Sequence, residues 1–174
     1  MNEISLDAMD LLLLGQLQQD ASLSNQELAE RVHTSAPTCL RRVKRLRDAG
    51  LIERQIAILQ PEKLAACVGH GLTAIVEVSL DRQTEEEWQR FELRVAQEAA
   101  VQQCYRVSPG PDFVLVMHLP DMPGYHATTQ RLFTSDANVR NVKAFFSIHR
   151  SKFGAALSLP APGAAALTQA ANPA

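Results

Sequence analysis

TCLRRVKRLRDAG, residues 38–50, packs five basic side chains into the seven positions from Arg41 to Arg47, in a 174-residue chain whose formal net charge is only −2. At about 100° per residue, Cys39, Leu40, Val43 and Leu46 fall within one arc of a helix, while Thr38, Arg41, Arg42 and Arg45 point the other way. One face is expected to pack on a small core and the other to present guanidinium groups in adjacent turns. Ser35 is a good N-cap, Pro37 sits in the first turn where a missing N–H costs nothing, and Gly50 supplies a left-handed stop. These signals predict a helix over 36–49.

Upstream, Leu6 to Gln18 reads as a helix with Leu6, Met9, Leu13 and Leu17 at three- and four-residue steps. Ser24 then caps a second, short helix, NQELAERV, and Glu27 completes a capping box. Only His33 and Thr34 separate it from the basic helix. Two short helices joined by a tight turn, the second basic outside, form the helix-turn-helix that lays a recognition helix in the DNA major groove. From Arg31 to Arg54 seven Lys or Arg (31, 41, 42, 44, 45, 47 and 54) meet only Asp48 and Glu53. That excess points to a polyanion, with duplex DNA the best fit, although the overall pI is about 6.2.

Downstream, LIERQIAIL reads as a linking strand and QPEKLAACVGHG as a connector with one turn of helix. There follow LTAIVEVSL (strand), TEEEWQRFELRVAQEA (helix), VQQCYRV and DFVLVMHL (strands), YHATTQRLFT (helix) and VKAFFSIHR (strand). The order βαββαβ is the ferredoxin-like pattern, four antiparallel strands with both helices on one face. The second face, with Ile75 on the first strand and Phe145 on the last, is semi-apolar and favours a two-fold dimer. The expected division is 1–54, 55–71 as linker, 72–153, and an uncharged Ala- and Pro-rich tail 154–174 that is mostly disordered, with AALSL a possible edge strand. No charged and apolar leader and no run of about 18 apolar residues is evident, so a cytoplasmic protein without a membrane partner is expected. Cys39, Cys67 and Cys104 are odd in number and widely spaced, which favours buried free thiols over disulfides or a metal site. No cofactor is implied.

The whole arrangement resembles the Lrp/AsnC family of bacterial regulators, the feast/famine proteins, over about residues 5–159. Its carriers are LDAMDLLLLGQLQQDASLSNQELAERV, TSAPTCLRRVKRLRDAGLI, QPEKL, CYRVSPGPDF, LPDMPGY and VRNVKAFFSIHRSK. The resemblance implies an α+β chain with an N-terminal winged helix-turn-helix domain, a linking β-strand and a C-terminal ferredoxin-like βαββαβ domain. It also implies a homodimer, often assembled into octamers, that binds double-stranded DNA and responds to a small amino acid effector bound between dimers. By that resemblance Ser35, Thr38, Arg41, Arg42 and Arg45 face DNA, with Arg42 and Arg45 foremost; replacing those two is expected to weaken DNA binding without unfolding.

The effector set implied by the resemblance is Ser108, Gly110, Asp112, Met122 and Phe146, and the apolar members tilt the choice toward leucine or methionine. Here the sequence departs from the family: Pro109 follows Ser108 where a glycine is usual, and Gly110 is displaced by one. Asp112 is read either as the partner of a free ammonium group or as a turn residue closing SPGPD. Met122 and Phe146 are read as pocket or core. An architectural DNA-wrapping protein that ignores small molecules is the alternative. Siroheme decarboxylases share the two-domain layout, but His70, His118, His126 and His149 lack metal-like spacing, and no catalytic residues are assigned.

Overall fold

The computed structural model describes residues 5–69 and 71–161. It divides into two units, one built on the chain up to Ile58 with the segment from Lys152, the other Leu59–Ser151. In the first, α1 (Ala8–Gln19), α2 (Asn25–Arg31) and α3 (Ala36–Asp48) follow one another closely. Capping sets their ends. Asp7 and Asp10 form a reciprocal capping box on α1, and Ser24 and Glu27 do the same on α2. The turn into α3 passes through His33 in the left-handed region (φ 54°), and Gly50 leaves α3 at φ 74°. Leu13, Leu28, Ala29, Val32, Cys39, Val43 and Leu46 close the small core between the three helices.

In the second unit α4 (Pro61–Val68) precedes β1 (Leu72–Leu80), α5 (Glu85–Ala96), β2 (Val101–Arg106), β3 (Phe113–Leu119), α6 (Met122–Thr129) with a π-helical turn over Gln130–Thr134, and β4 (Val139–Phe146). The strands are antiparallel in the order β2-β3-β1-β4, which is the ferredoxin-like sheet. Alternation along β1 and β3 puts Ala74, Val76, Val78, Leu80, Phe113, Leu115, Met117 and Leu119 on the covered face, against Phe91 and Val95 of α5 and Leu132 and Phe133. The other face keeps Ile75, Tyr105 and Phe145 exposed.

Several expectations are corrected. Residues 53–60 form no strand in the single chain, and Ile56, Ile58 and Leu59 stand exposed. A strand is a pairing state, and among the described residues these pair with no other strand. AALSL adds no edge strand either; the Leu157 backbone instead exchanges two 2.9 Å hydrogen bonds with the Gln18 side-chain amide. The tail expected to be disordered lies, from residue 162, outside the described residues.

The connector helix α4 has two turns rather than one. The second domain helix starts three residues early because Asp121 caps it, accepting from Gly124 N–H at 2.7 Å, with Pro123 in its first turn. β4 ends at Phe146, opposite Ala74, where β1 is running out. Cys39 is buried, but Cys67 and Cys104 are exposed. Cys104, exposed as a residue, lies on edge strand β2 opposite Leu115, so its thiol faces α5 at the sheet margin, where partial desolvation, and then Glu92, push it up to about 11. No helix among the described residues is long and apolar enough to cross a membrane.

Candidate nucleic-acid interface and ligand cavity

The position of α3 depends on a carboxylate in α1. Asp10 is 1% exposed and receives Arg42 Nη1 on Oδ1 at 2.9 Å and Arg45 Nη2 on Oδ2. Arg42 Nη1 also reaches Asp7 Oδ2 at 2.7 Å. The backbone N–H of Asp10 at the helix cap, and then Arg42, hold the Asp7 carboxyl below its ordinary range, while Asp7 and Asp10 raise Arg42. A buried charge must be paired and hydrogen-bonded to be tolerated. Two of the five clustered cations therefore act first as structural braces, which corrects the expectation that Arg42 and Arg45 can be removed without harm to the fold.

The buried residues Cys39, Val43 and Leu46 define the inner side of α3. Opposite them stand Pro37, Arg41, Lys44 and Asp48, all exposed. Lys44 is the residue that the sequence reading missed. Measuring directions from the core positions rather than from Thr38 would have found it. Leu40, expected to pack inward, is 53% exposed, because it lies at the end of the apolar arc, beyond the reach of α1 and α2. Ser35 and Thr38 are engaged with each other: Ser35 Oγ accepts from Thr38 N–H at 3.4 Å and donates to Thr38 Oγ1 at 2.9 Å. The structure thus sets Ser35, Thr38, Arg41, Arg42 and Arg45 on one helix, with only Arg41 among the arginines free of a carboxylate in the hydrogen bonds and ion pairs described.

In the second unit Ser108, Gly110 and Asp112 line one cavity of about 450 Å³, with Gln83, Trp88 and Arg106. Asp112 is buried, and its carboxylate is already occupied: Oδ2 accepts from Leu80 N–H at 2.8 Å and Gln83 Nε2 at 3.2 Å, and Oδ1 from Trp88 Nε1 at 3.2 Å. Its carbonyl closes the loop by accepting from Val107 N–H at 3.0 Å. Arg106 lies 4.8 Å from the Trp88 ring and pairs with Glu85 and Glu92 at 2.9 Å each, which lowers the Glu85 carboxyl.

Met122 and Phe146 do not line this cavity. Phe146 pairs with Ala74 at the start of β1, whereas Asp112 bonds Val78 four residues along, about 13 Å away at strand rise. Neither is core: both are exposed, and Phe146 meets the Tyr125 ring edge-on at 5.0 Å. Of the histidines, His70 lies outside the described residues, and no group of three or more metal-ligating side chains occurs among the described ones.

Residues 6–53 match the model of a winged helix-turn-helix DNA-binding domain, and residues 73–157 match the Lrp/AsnC ligand binding domain. The chain belongs to the Lrp/AsnC family. It is 38% identical to an uncharacterized HTH-type transcriptional regulator of Haemophilus influenzae over 85% of this chain and 86% of that one. It is 34% identical to the leucine-responsive regulatory protein of Rhizobium meliloti, over 86% and 93%. Among solved structures, a transcriptional regulator from Neisseria meningitidis in complex with L-Met superposes with a TM-score of 0.75 at 30% identity, covering 88% of this chain and 97% of that one. As a family member the chain is a DNA-binding transcriptional regulator with a ligand-binding domain, and not an enzyme.

Two expected outcomes follow from the Asp10 brace. Asp10→Ala leaves two guanidiniums without their buried partner and should destabilise the helix-turn-helix unit by about 2–3 kcal/mol, less than a fully buried pair because both arginines reach water; urea unfolding measures it. Asp7 has a folded pKa below its unfolded value, so its stabilisation is complete above about pH 4 and is lost as pH falls through the lower, folded value. Asp7→Asn, which keeps a capping side chain, should therefore flatten the acid limb of the stability profile below about pH 4; an unchanged limb would show that Asp7 adds no charge-dependent stability.

Proposed function

We propose that this Lrp/AsnC protein is a dimeric regulator that lays α3 in the major groove of a two-fold symmetric duplex site and answers to an apolar amino acid, leucine or methionine in type. The exposed Arg41 and Lys44 stripe opposite the buried side of α3 carries the DNA half of this reading. Those two side chains supply phosphate contacts, the start of α3 with Ser35 and Thr38 meets base edges, and Arg42 and Arg45 hold the helix at its angle while reaching the backbone from its flank. Such a protein works where the DNA is, in the cytoplasm.

Dimer formation is supported by the open sheet face with Ile75, Tyr105 and Phe145 and by unpaired residues 53–60 with Ile56 and Ile58 exposed. A second copy would cover both, and dimers would assemble further, toward an octamer. The effector site would be built on the Ser108–Asp112 loop and its cavity. Exposed Met122 and Phe146 lie too far along the sheet to join that cavity within one copy, so they would complete a site from another copy. The Neisseria meningitidis relative that holds L-Met supports the apolar choice. One observation favours the alternative, an effector-independent DNA-wrapping protein: the Asp112 carboxylate is filled by three internal donors and has little left for an ammonium group.

The DNA half is tested by replacing Arg41 and Lys44 together with Ala. The slope of log affinity against log salt should fall by about 0.9 for each phosphate that is no longer neutralised, with folding unchanged; an identical slope would remove α3's outer stripe from the interface. For the effector half, a thermal-shift screen against the twenty amino acids, with oligomer mass followed for each hit, should show leucine or methionine adding about 2.7 kcal/mol at 100 times its dissociation constant. A flat screen in protein that still binds DNA would establish the wrapping reading instead.

A further inference from the structure

The outward face of α3 carries one side chain to which phosphate anchoring assigns no role. Leu40 is 53% exposed, although Cys39, Val43 and Leu46 of the same helix are buried. With Pro37, Arg41 and Lys44 it occupies the i, i+3, i+4 and i+7 spacing of a single surface stripe, and the other three are exposed as well. Cations and a proline surround it, not further apolar groups, so the stripe is poorly suited to a protein partner, which would want a broader apolar patch. It suits a surface that is anionic with isolated apolar spots.

The major groove is such a surface: phosphates line it, and the C5-methyl of thymine is the apolar group its base edges present. Leu40 is the fifth residue of α3, within the part of a recognition helix that faces base edges. We propose that Leu40 is a specificity-determining residue that packs against a thymine methyl, held in register by phosphate contacts from the neighbouring Arg41 and Lys44. This rests on the DNA reading above and deepens it: the site prefers thymine at one position, or at a symmetric pair in a two-fold site, for an apolar reason and without a hydrogen bond.

The test uses duplexes enriched by the wild-type protein from a random pool, with each thymine replaced in turn by deoxyuridine. That change leaves every hydrogen-bonding group and removes only the methyl. Wild-type affinity is expected to fall about fourfold for each replacement, at one position or at each of two symmetric positions, the value of one buried methyl-sized group. Leu40→Ala should bind the thymine duplex at least as weakly and show no further loss with deoxyuridine, whereas Leu40→Met, apolar and similar in volume, should keep the sensitivity. Wild-type protein indifferent to every replacement, or Leu40→Ala still sensitive at the same position, would overturn the inference while leaving DNA binding intact. A pool from which nothing is enriched would overturn the DNA reading itself, and the role of Leu40 with it.

Discussion

The carboxylate of Asp10 is the constraint that holds α3 against α1. Buried almost completely in α1, it accepts the Asp7 backbone N–H at 3.1 Å and two guanidiniums from α3. An unpaired carboxylate in that position would cost several kcal/mol, so α1 and α3 are tied in one relative arrangement, and the core of Leu13, Leu28, Val43 and Leu46 closes around it. The basic cluster is consequently divided. Arg42 and Arg45 are turned toward α1, and Arg41, Lys44 and Arg47 are left exposed, with Asp48. A cluster that looks uniform in sequence thus combines a brace with a group of exposed cations.

The ligand-binding unit solves a similar problem at Asp112. Its buried carboxylate joins the end of β1, through the Leu80 N–H, to the Gln83 side chain and to Trp88 on α5, while its backbone closes the 107–112 loop. The wall of the 450 Å³ cavity is therefore anchored to the sheet. Within the cavity Arg106 is stacked on Trp88 and already paired with Glu85 and Glu92, so any charged group entering would have to compete with internal ion pairs. Preorganised walls of this kind favour shape and apolar contact over new charge pairing.

Local and periodic features were legible in the sequence. Ser24 with Glu27, Ser35 with Pro37, and Gly50 marked helix ends because capping needs particular side chains at fixed offsets. Strand alternation in LTAIVEVSL predicted β1 to the residue, and the βαββαβ order followed from the sequence of periods. The candidate residues fared unevenly. Ser108, Gly110 and Asp112 do share a cavity, as five-residue neighbours in a loop must, but Phe146 is set apart from it by strand register and Met122, on α6, does not line it, which family likeness read residue by residue does not convey.

The sequence by itself determined the helices and the four strands of the sheet, the topology they follow and the concentration of positive charge on one helix, since each depends on composition and short-range spacing; it did not decide whether the linker and AALSL would find a strand to pair with. Only the tertiary structure decided what each charged or apolar side chain does. Arg42 finds Asp7 and Asp10 across 35 and 32 residues, Asp112 is held by donors 24 to 32 residues away, and Leu40 stays in solvent because no element among the described residues buries it. Those outcomes are set by which surfaces meet once the elements pack. Helical spacing gives the direction a side chain takes and is silent on what waits there.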